Sequence, residues 1–207
     1  IGRRIDDKVE ERLRCAALFF RTVQVPGPAW DYGDSDSAYV TPLFQSEAGA
    51  QDEWLNWLGL PDESPVLSYW LGEPPAGPAS KPAEQIGGVW TRFRDTGIAV
   101  AREEGWAYRF DQSPLGYGSM AAHGHLDALH LSVWIGGQPL VIDPGTGAYY
   151  GDPELRERLA DREAHNAPMI AGADLARRMG PFLWASHHAR PQAVPAGERQ
   201  ICARLGI

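Results

Sequence analysis

Hydrophobic spacing divides the chain into two regimes. Apolar residues at Ile5, Val9, Leu13, Ala16, Ala17 and Phe20 recur every three or four positions, which predicts a helix with one buried stripe over Ile5 to Phe20. Asp6 and Asp7 in its first turn and Arg21 near its end suit the helix dipole. A second helix is expected from Ser46 to Leu60, with Trp54, Leu55 and Leu58 apolar and Gly59 as its cap. Pro65 to Leu71 reads as a short third helix, stopped by Gly72 and two prolines. Beyond residue 88 the period becomes two. Val89 to Arg94, Gly97 to Arg102 and Trp106 to Phe110 read as strands, separated by Asp95-Thr96 and Glu104-Gly105. Leu129, Leu131, Val133 and Ile135 alternate with His130, Ser132 and Trp134. Gly136-Gly137 then makes a two-residue hairpin turn, and Pro139 to Ile142 returns. Ala167 to Ala171 is expected to be a further strand, and the tail from Arg190 gives only weak signals.

The change of period falls at a proline-rich stretch, Glu73 to Pro82, which reads as a linker. The expected class is α+β: a helical segment over residues 1–82, then an antiparallel β-sheet or β-sandwich domain over 83–207. Pro26 to Pro42 is a loop crowded with Asp31, Asp34 and Asp36; it lacks the ligand spacing and terminal glutamate of an EF-hand.

Composition narrows the function classes. At 207 residues, 43% hydrophobic and with eight tryptophans, the chain can bury a core. Its net charge of −8 argues against nucleic acid as a partner. No apolar run approaches the roughly 20 residues that span a bilayer. Acidity is concentrated before residue 86; after it, all twelve basic residues are arginines, whose forked donors suit carboxylate or sulfate. Cys15 and Cys202 have neither metal-site spacing nor a disulfide framework. The chain begins without methionine or signal peptide, inside an apparent helix, and reads as a fragment or processed product.

The candidate chemistry lies between Ala121 and Asn166. His123-Gly124-His125-Leu126-Asp127 precedes the hairpin, Asp143-Pro144-Gly145-Thr146-Gly147 ends it, and Ala164-His165-Asn166 follows. Imidazole and carboxylate suit a divalent ion such as zinc. On an extended backbone His123 and His125 would point to one side and share a metal, with Asp143 brought alongside by the returning strand. Each has a bland alternative, as a core histidine or a turn aspartate. Asp127 would cap the strand or orient a histidine. His130, His187 and His188 have no supporting neighbours and are assigned to surface or core, and Tyr149-Tyr150 either pack or line a sugar site.

Taken in order, these motifs resemble the heparinase II/III-like polysaccharide lyases over roughly residues 86–185, including Leu115-Gly116 and Gly180-Pro181-Phe182-Leu183-Trp184. Tyr32-Gly33-Asp34-Ser35-Asp36 is similar to the segment that precedes them in that family. The resemblance implies the end of an α/α toroid joined to antiparallel sheets, in a bacterial enzyme that is periplasmic or secreted. It implies a structural metal, usually zinc, on His125, Asp143 and His165. It places His123 at the catalytic cleft instead, with Gly124 letting the backbone twist so that the two rings part. Arg156, Asn166 and Tyr149 become candidates for substrate contact, Asn166 also for steadying the His165 loop. Where the family commonly has Arg-Ser-Thr, this chain has Ala160-Asp161-Arg162, so no substrate contact is carried over there. The implied partner is an anionic, uronate-containing polysaccharide, a glycosaminoglycan or exopolysaccharide, cleaved by β-elimination. The remaining catalytic groups are expected upstream of Ile1, which would leave this piece inactive alone.

Two other readings compete. His123, His125 and Asp127 also resemble the H-x-H-x-D-H signature of metallo-β-lactamase-like hydrolases, with Ala128 in place of the last histidine. The other is a non-catalytic carbohydrate-binding or structural β-domain.

Overall fold

The computed structural model describes residues 6–23, 33–34, 87–169, 171–173 and 175–206. The second and third expected helices, most of the acidic loop and the proline-rich linker lie outside the described residues. The chain divides into two compact units, residues 1–24 with 37–84, and residues 25–36 with 85–207.

In the first unit, α1 runs from Asp7 to Val23. It carries the expected period, and Thr22 and Val23 are buried at its end. The stripe is not buried throughout: Val9 is 48% exposed.

The second unit is built on a five-stranded antiparallel sheet in sequence order: β1 (Thr91–Phe93), β2 (Ile98–Glu103), β3 (Trp106–Asp111), β4 (Leu131–Ile135) and β5 (Gln138–Val141). Glu103 pairs with Trp106 and Ile135 with Gln138, so Glu104-Gly105 and Gly136-Gly137 are two-residue turns. Both glycines of the second turn have positive φ, as a hairpin that matches strand twist requires. Gly97 is compelled on two counts. Its φ is +87°, and a Cβ there would lie 2.4 Å from the Gln112 carbonyl oxygen. Ile98, Val100 and Trp134 are buried in this sheet, as are Ala99 and Ala101 between them, so both faces of β2 are covered.

Below the sheet come α2 (Pro153–Ala160), a 3-10 turn (Arg162–Ala164) and two further strand pairs, β6 (Ala176–Arg178) with β7 (Trp184–His187), and β8 (Gln192–Ala193) with β9 (Ala203–Arg204). The helix is capped by Asp152, whose side chain accepts the Leu155 amide at 3.0 Å, and Pro153 occupies its first turn. The described part of the expected strand over Ala167 to Ala171 is irregular, because Pro168 removes a ladder donor and its carbonyl is taken by Arg162. The described elements therefore form an α+β unit dominated by an antiparallel sheet.

Candidate functional site

The loop from Leu115 to His130, between β3 and β4, is tied down from several directions. Leu115, Ala121 and Leu126 form a small core with Ala160 and Trp184. The Trp184 indole N–H donates to the Gly124 carbonyl at 2.7 Å, and the His123 amide donates to Phe182 at 2.8 Å. The Leu126 amide donates to Ala160, so the end of α2 also holds this loop.

That tethering separates the two histidines of the H-x-H pair. The backbone is not extended: His123 itself is left-handed, with φ +57°. Gly124 is not, so the twist expected at the glycine is made one residue earlier. Gly124 serves close approach instead, since a Cβ there would lie 2.7 Å from the Gly116 nitrogen. The His125 ring goes inward at 2% exposure, whereas the His123 side chain stays 50% exposed. The two do not share one ligand set.

His125, Asp143 and His165 meet inside. One donor atom from each lies within 4.8 Å of the other two, and all three residues are buried. The donor set fits a divalent ion. Among the described residues neither nitrogen of His125 has a hydrogen-bond partner. The Nδ1–H of His165 is placed to donate to the Asp161 carbonyl at 2.9 Å, leaving Nε2 unpartnered and 3.5 Å from Asp143 Oδ2. Asp143 Oδ1 accepts amides from Gly145 at 2.8 Å and Gly33 at 3.2 Å, which directs Oδ2 toward the imidazoles. Three unsatisfied imidazole nitrogens in a dry site are costly unless something binds them. Burial pushes His125 down to about 4. Burial also works on Asp143, but the neighbouring His165 imidazole and the Gly145 amide outweigh it and hold the carboxyl near 2. Lone pairs and a carboxylate at neutral pH are what a cation needs.

Two neighbours were not legible as site residues. His130 is 4% exposed with its ring 5.6 Å from that of His165, and burial lowers it to about 4. Arg162 is a buried brace: it donates to the carbonyls of Leu126 and Ala128 at 3.1 and 2.9 Å, and to Pro168, joining the His125 and His165 loops. Asp127 is also buried, and burial with the charges of Asp111 and Asp143 pushes its carboxyl well up. Among the described residues it orients no histidine.

On the exposed side, His123 Nδ1 lies 2.7 Å from Asp34 Oδ2 and 3.1 Å from the Tyr149 hydroxyl. Asp34 also receives both Nη groups of Arg156, at 3.0 and 2.5 Å, and the Thr146 hydroxyl at 3.3 Å. Burial would raise its pKa, but the bonds from Arg156 and His123 prevail and lower it. Arg156, expected to face substrate, is 2% exposed; its guanidinium lies 4.2 Å from the Phe182 ring centre and donates to the Pro181 carbonyl. Its work is to hold Asp34. Asn166 is similarly committed: its amide side chain spans the Leu131 backbone, accepting at 2.9 Å and donating at 2.8 Å. Tyr149 stacks beside His123, and Tyr150 next to it is 77% exposed.

A twisted antiparallel sheet whose β3–β4 loop and following turns gather a buried His–Asp–His group beside a surface histidine defines the class. Residues 88–203 match the family described as Heparinase II/III-like, C-terminal, and the chain belongs to that family. Searches of curated proteins and of solved structures found no match. Membership gives a polysaccharide-lyase-related function, and the buried group is one that could hold a metal ion. The metallo-hydrolase alternative needs His123, His125 and Asp127 around shared ions, and the structure turns His123 away toward Asp34 and Tyr149.

Proposed function

We propose that this chain is part of a lyase that cleaves an anionic, uronate-containing polysaccharide by β-elimination, with His123 as its catalytic histidine and with residues 1–82 as the end of an α/α toroid. One observation carries the reading: a half-exposed imidazole whose Nδ1 is held 2.7 Å from a buried, arginine-paired carboxylate. In that geometry Nδ1 carries the proton and donates to Asp34, sharing it with the Tyr149 oxygen. Nε2 then presents a lone pair to solvent and substrate. Arg156 holds the Asp34 carboxylate in place, and the carboxylate fixes the tautomer.

The reaction breaks C5–H, forms C4=C5 and releases the glycosidic oxygen from C4 with its electron pair. The C5 proton is weakly acidic because it lies alpha to the uronate carboxylate. Catalysis needs that carboxylate neutralised, the C5 proton removed and the leaving oxygen protonated. His123 Nε2 suits proton abstraction or, once protonated, neutralisation of the sugar acid. The exposed face of Tyr150 beside Phe182 suits a pyranose ring.

His125, Asp143 and His165 would hold a divalent ion of zinc type, whose contribution is to fix the loops that carry them rather than to act on the sugar. An anionic polymer as substrate would suit an enzyme working in the periplasm or outside the cell.

The test is the ultraviolet absorbance of the unsaturated sugar acid, formed from uronate polymers by the longest form of the protein its gene encodes. His123→Ala should abolish it while leaving thermal stability intact. Equal turnover by the variant would refute the assignment. Sugar binding with no turnover by the native protein would favour a binding module.

A further inference from the structure

The arginines after residue 86 are not absorbed by this reading. Three of them, Arg92, Arg94 and Arg190, line one cavity of about 520 Å³, formed by β1, the turn after it, the start of β2 and the segment over residues 190–196. That size suits a small-molecule site, typically roughly 300–1,000 Å³. Among the described residues no carboxylate lines it, and none of its residues belongs to the His–Asp–His group or the His123 network. Among the described residues none of the three guanidinium groups is in an ion pair.

Two are fixed by neutral acceptors. Arg92 Nη2 donates to the Gln200 carbonyl at 2.6 Å, and Arg190 Nη2 to the carbonyls of Arg94 and Asp95 at 2.5 and 3.1 Å. Such bonds orient a guanidinium without neutralising its charge. In a chain of net charge −8, three clustered cations that form no ion pair among the described residues are a local exception. The wall also holds Gln112, 7% exposed, whose Nε2 has no hydrogen-bond partner among the described residues. Phe93 and Val194 give the same cavity apolar surface.

We propose that this cavity is a second polysaccharide-binding subsite, which takes one carboxylate-bearing sugar unit. The guanidinium forks receive the carboxylate, and the apolar wall covers a ring face, with Gln112 in the wall as the reporter of occupancy. The sugar assignment rests on the proposed function; recognition of an organic anion does not.

The experiment is titration of the isotopically labelled chain with glucuronic acid, glucose and inorganic sulfate, following the Gln112 side-chain amide by NMR. Glucuronate should shift that resonance saturably and glucose should not. Arg92→Gln with Arg94→Gln should weaken the effect about tenfold or more, the scale of a lost charge-assisted bond. Arg94→Gln alone, in which a side chain without a bond among the described residues is changed, guards against misfolding of the double variant. His123→Ala should leave binding unchanged. An unmoved Gln112 amide, equal binding of glucose, sulfate binding as tight as glucuronate, or affinity indifferent to the arginine changes would each overturn the proposal. Failure of the lyase assay with the Gln112 shift intact would remove the proposed function and leave this subsite standing.

Discussion

Replacing His125 with glutamine, in metal-free protein, should change how stability depends on pH by an amount the structure sets. Burial lowers the folded His125 pKa to about 4 from an ordinary 6.5. Below about pH 6.5 unfolded chains therefore take up a proton that folded chains refuse, and stability falls until the pH nears 4. Between pH 7.5 and pH 5 a single such group removes about 2 kcal/mol of unfolding free energy. The total curve is not the place to look for this. Burial raises the folded pKa of Asp111 and Asp127, and a raised carboxyl stabilises the fold as pH falls, the opposite sign. Asp143, held near 2, gives stability that is lost only below about pH 4, outside this window. The difference between native and His125→Gln isolates the imidazole. Urea unfolding with chelator at both pH values measures it, and the native advantage should shrink by about 2 kcal/mol toward acid. A difference that stays constant within about 0.5 kcal/mol would show that His125 is not a dry, neutral imidazole, and the case for it as a metal ligand would go with it.

Zinc added to metal-free protein should raise the melting temperature and chelator reverse it, with about 4 kcal/mol gained at a thousandfold excess over Kd; elemental analysis of His165→Ala should show no bound metal. Asp34→Asn should lower elimination on the order of 10²- to 10⁴-fold by freeing the His123 tautomer, and unchanged turnover would remove Asp34 from the mechanism. Gly33→Ala forces a side chain onto φ +61°, so it should weaken metal binding in chelator competition and lower elimination; an effect on neither would sever the link between the two sites.

The hairpin was legible because its physics is local. The Gly136-Gly137 turn fixes the pairing of Ile135 with Gln138 without help from distant chain, although a bulge then shifts the register between Val133 and Trp134. The same holds for α1, whose apolar period is written in its own residues. The strands β6 to β9 are two to four residues long and too short for a period to show. Helix α2 escaped because its inward residues include Arg156, so its buried face carries a charge. The site shows the same division. Residue types and spacing marked His125, Asp143 and His165 as ligand candidates, but spacing alone set His123 beside them. Only the left-handed backbone at His123, imposed by contacts from Phe182 and Trp184 some sixty residues away, turns its ring outward. That Arg156 pairs with Asp34 and Arg162 braces carbonyls was not legible, because a sequence does not say whether an arginine reaches solvent or turns inside.

The buried group and the surface histidine are joined through one dipeptide. The Gly33 amide donates to Asp143 Oδ1, while the next residue, Asp34, holds His123 and Arg156. Gly33 has φ +61°, and a Cβ there would meet the Asp127 carboxylate at 3.8 Å, so the position favours glycine by conformation more than by space. A group that fixes Asp143 thereby restrains Gly33, and with it the carboxylate that sets the His123 tautomer. A metal ion held there, remote from bond breaking, would thereby have a reason to be retained. Orienting a catalytic imidazole to within a few tenths of an ångström needs a rigid support, and two imidazoles and a carboxylate clamped on one ion would be stiffer than the turns that carry them. Loss of the ion would then be felt first in the placement of Asp34 and His123, before the sheet itself gives way.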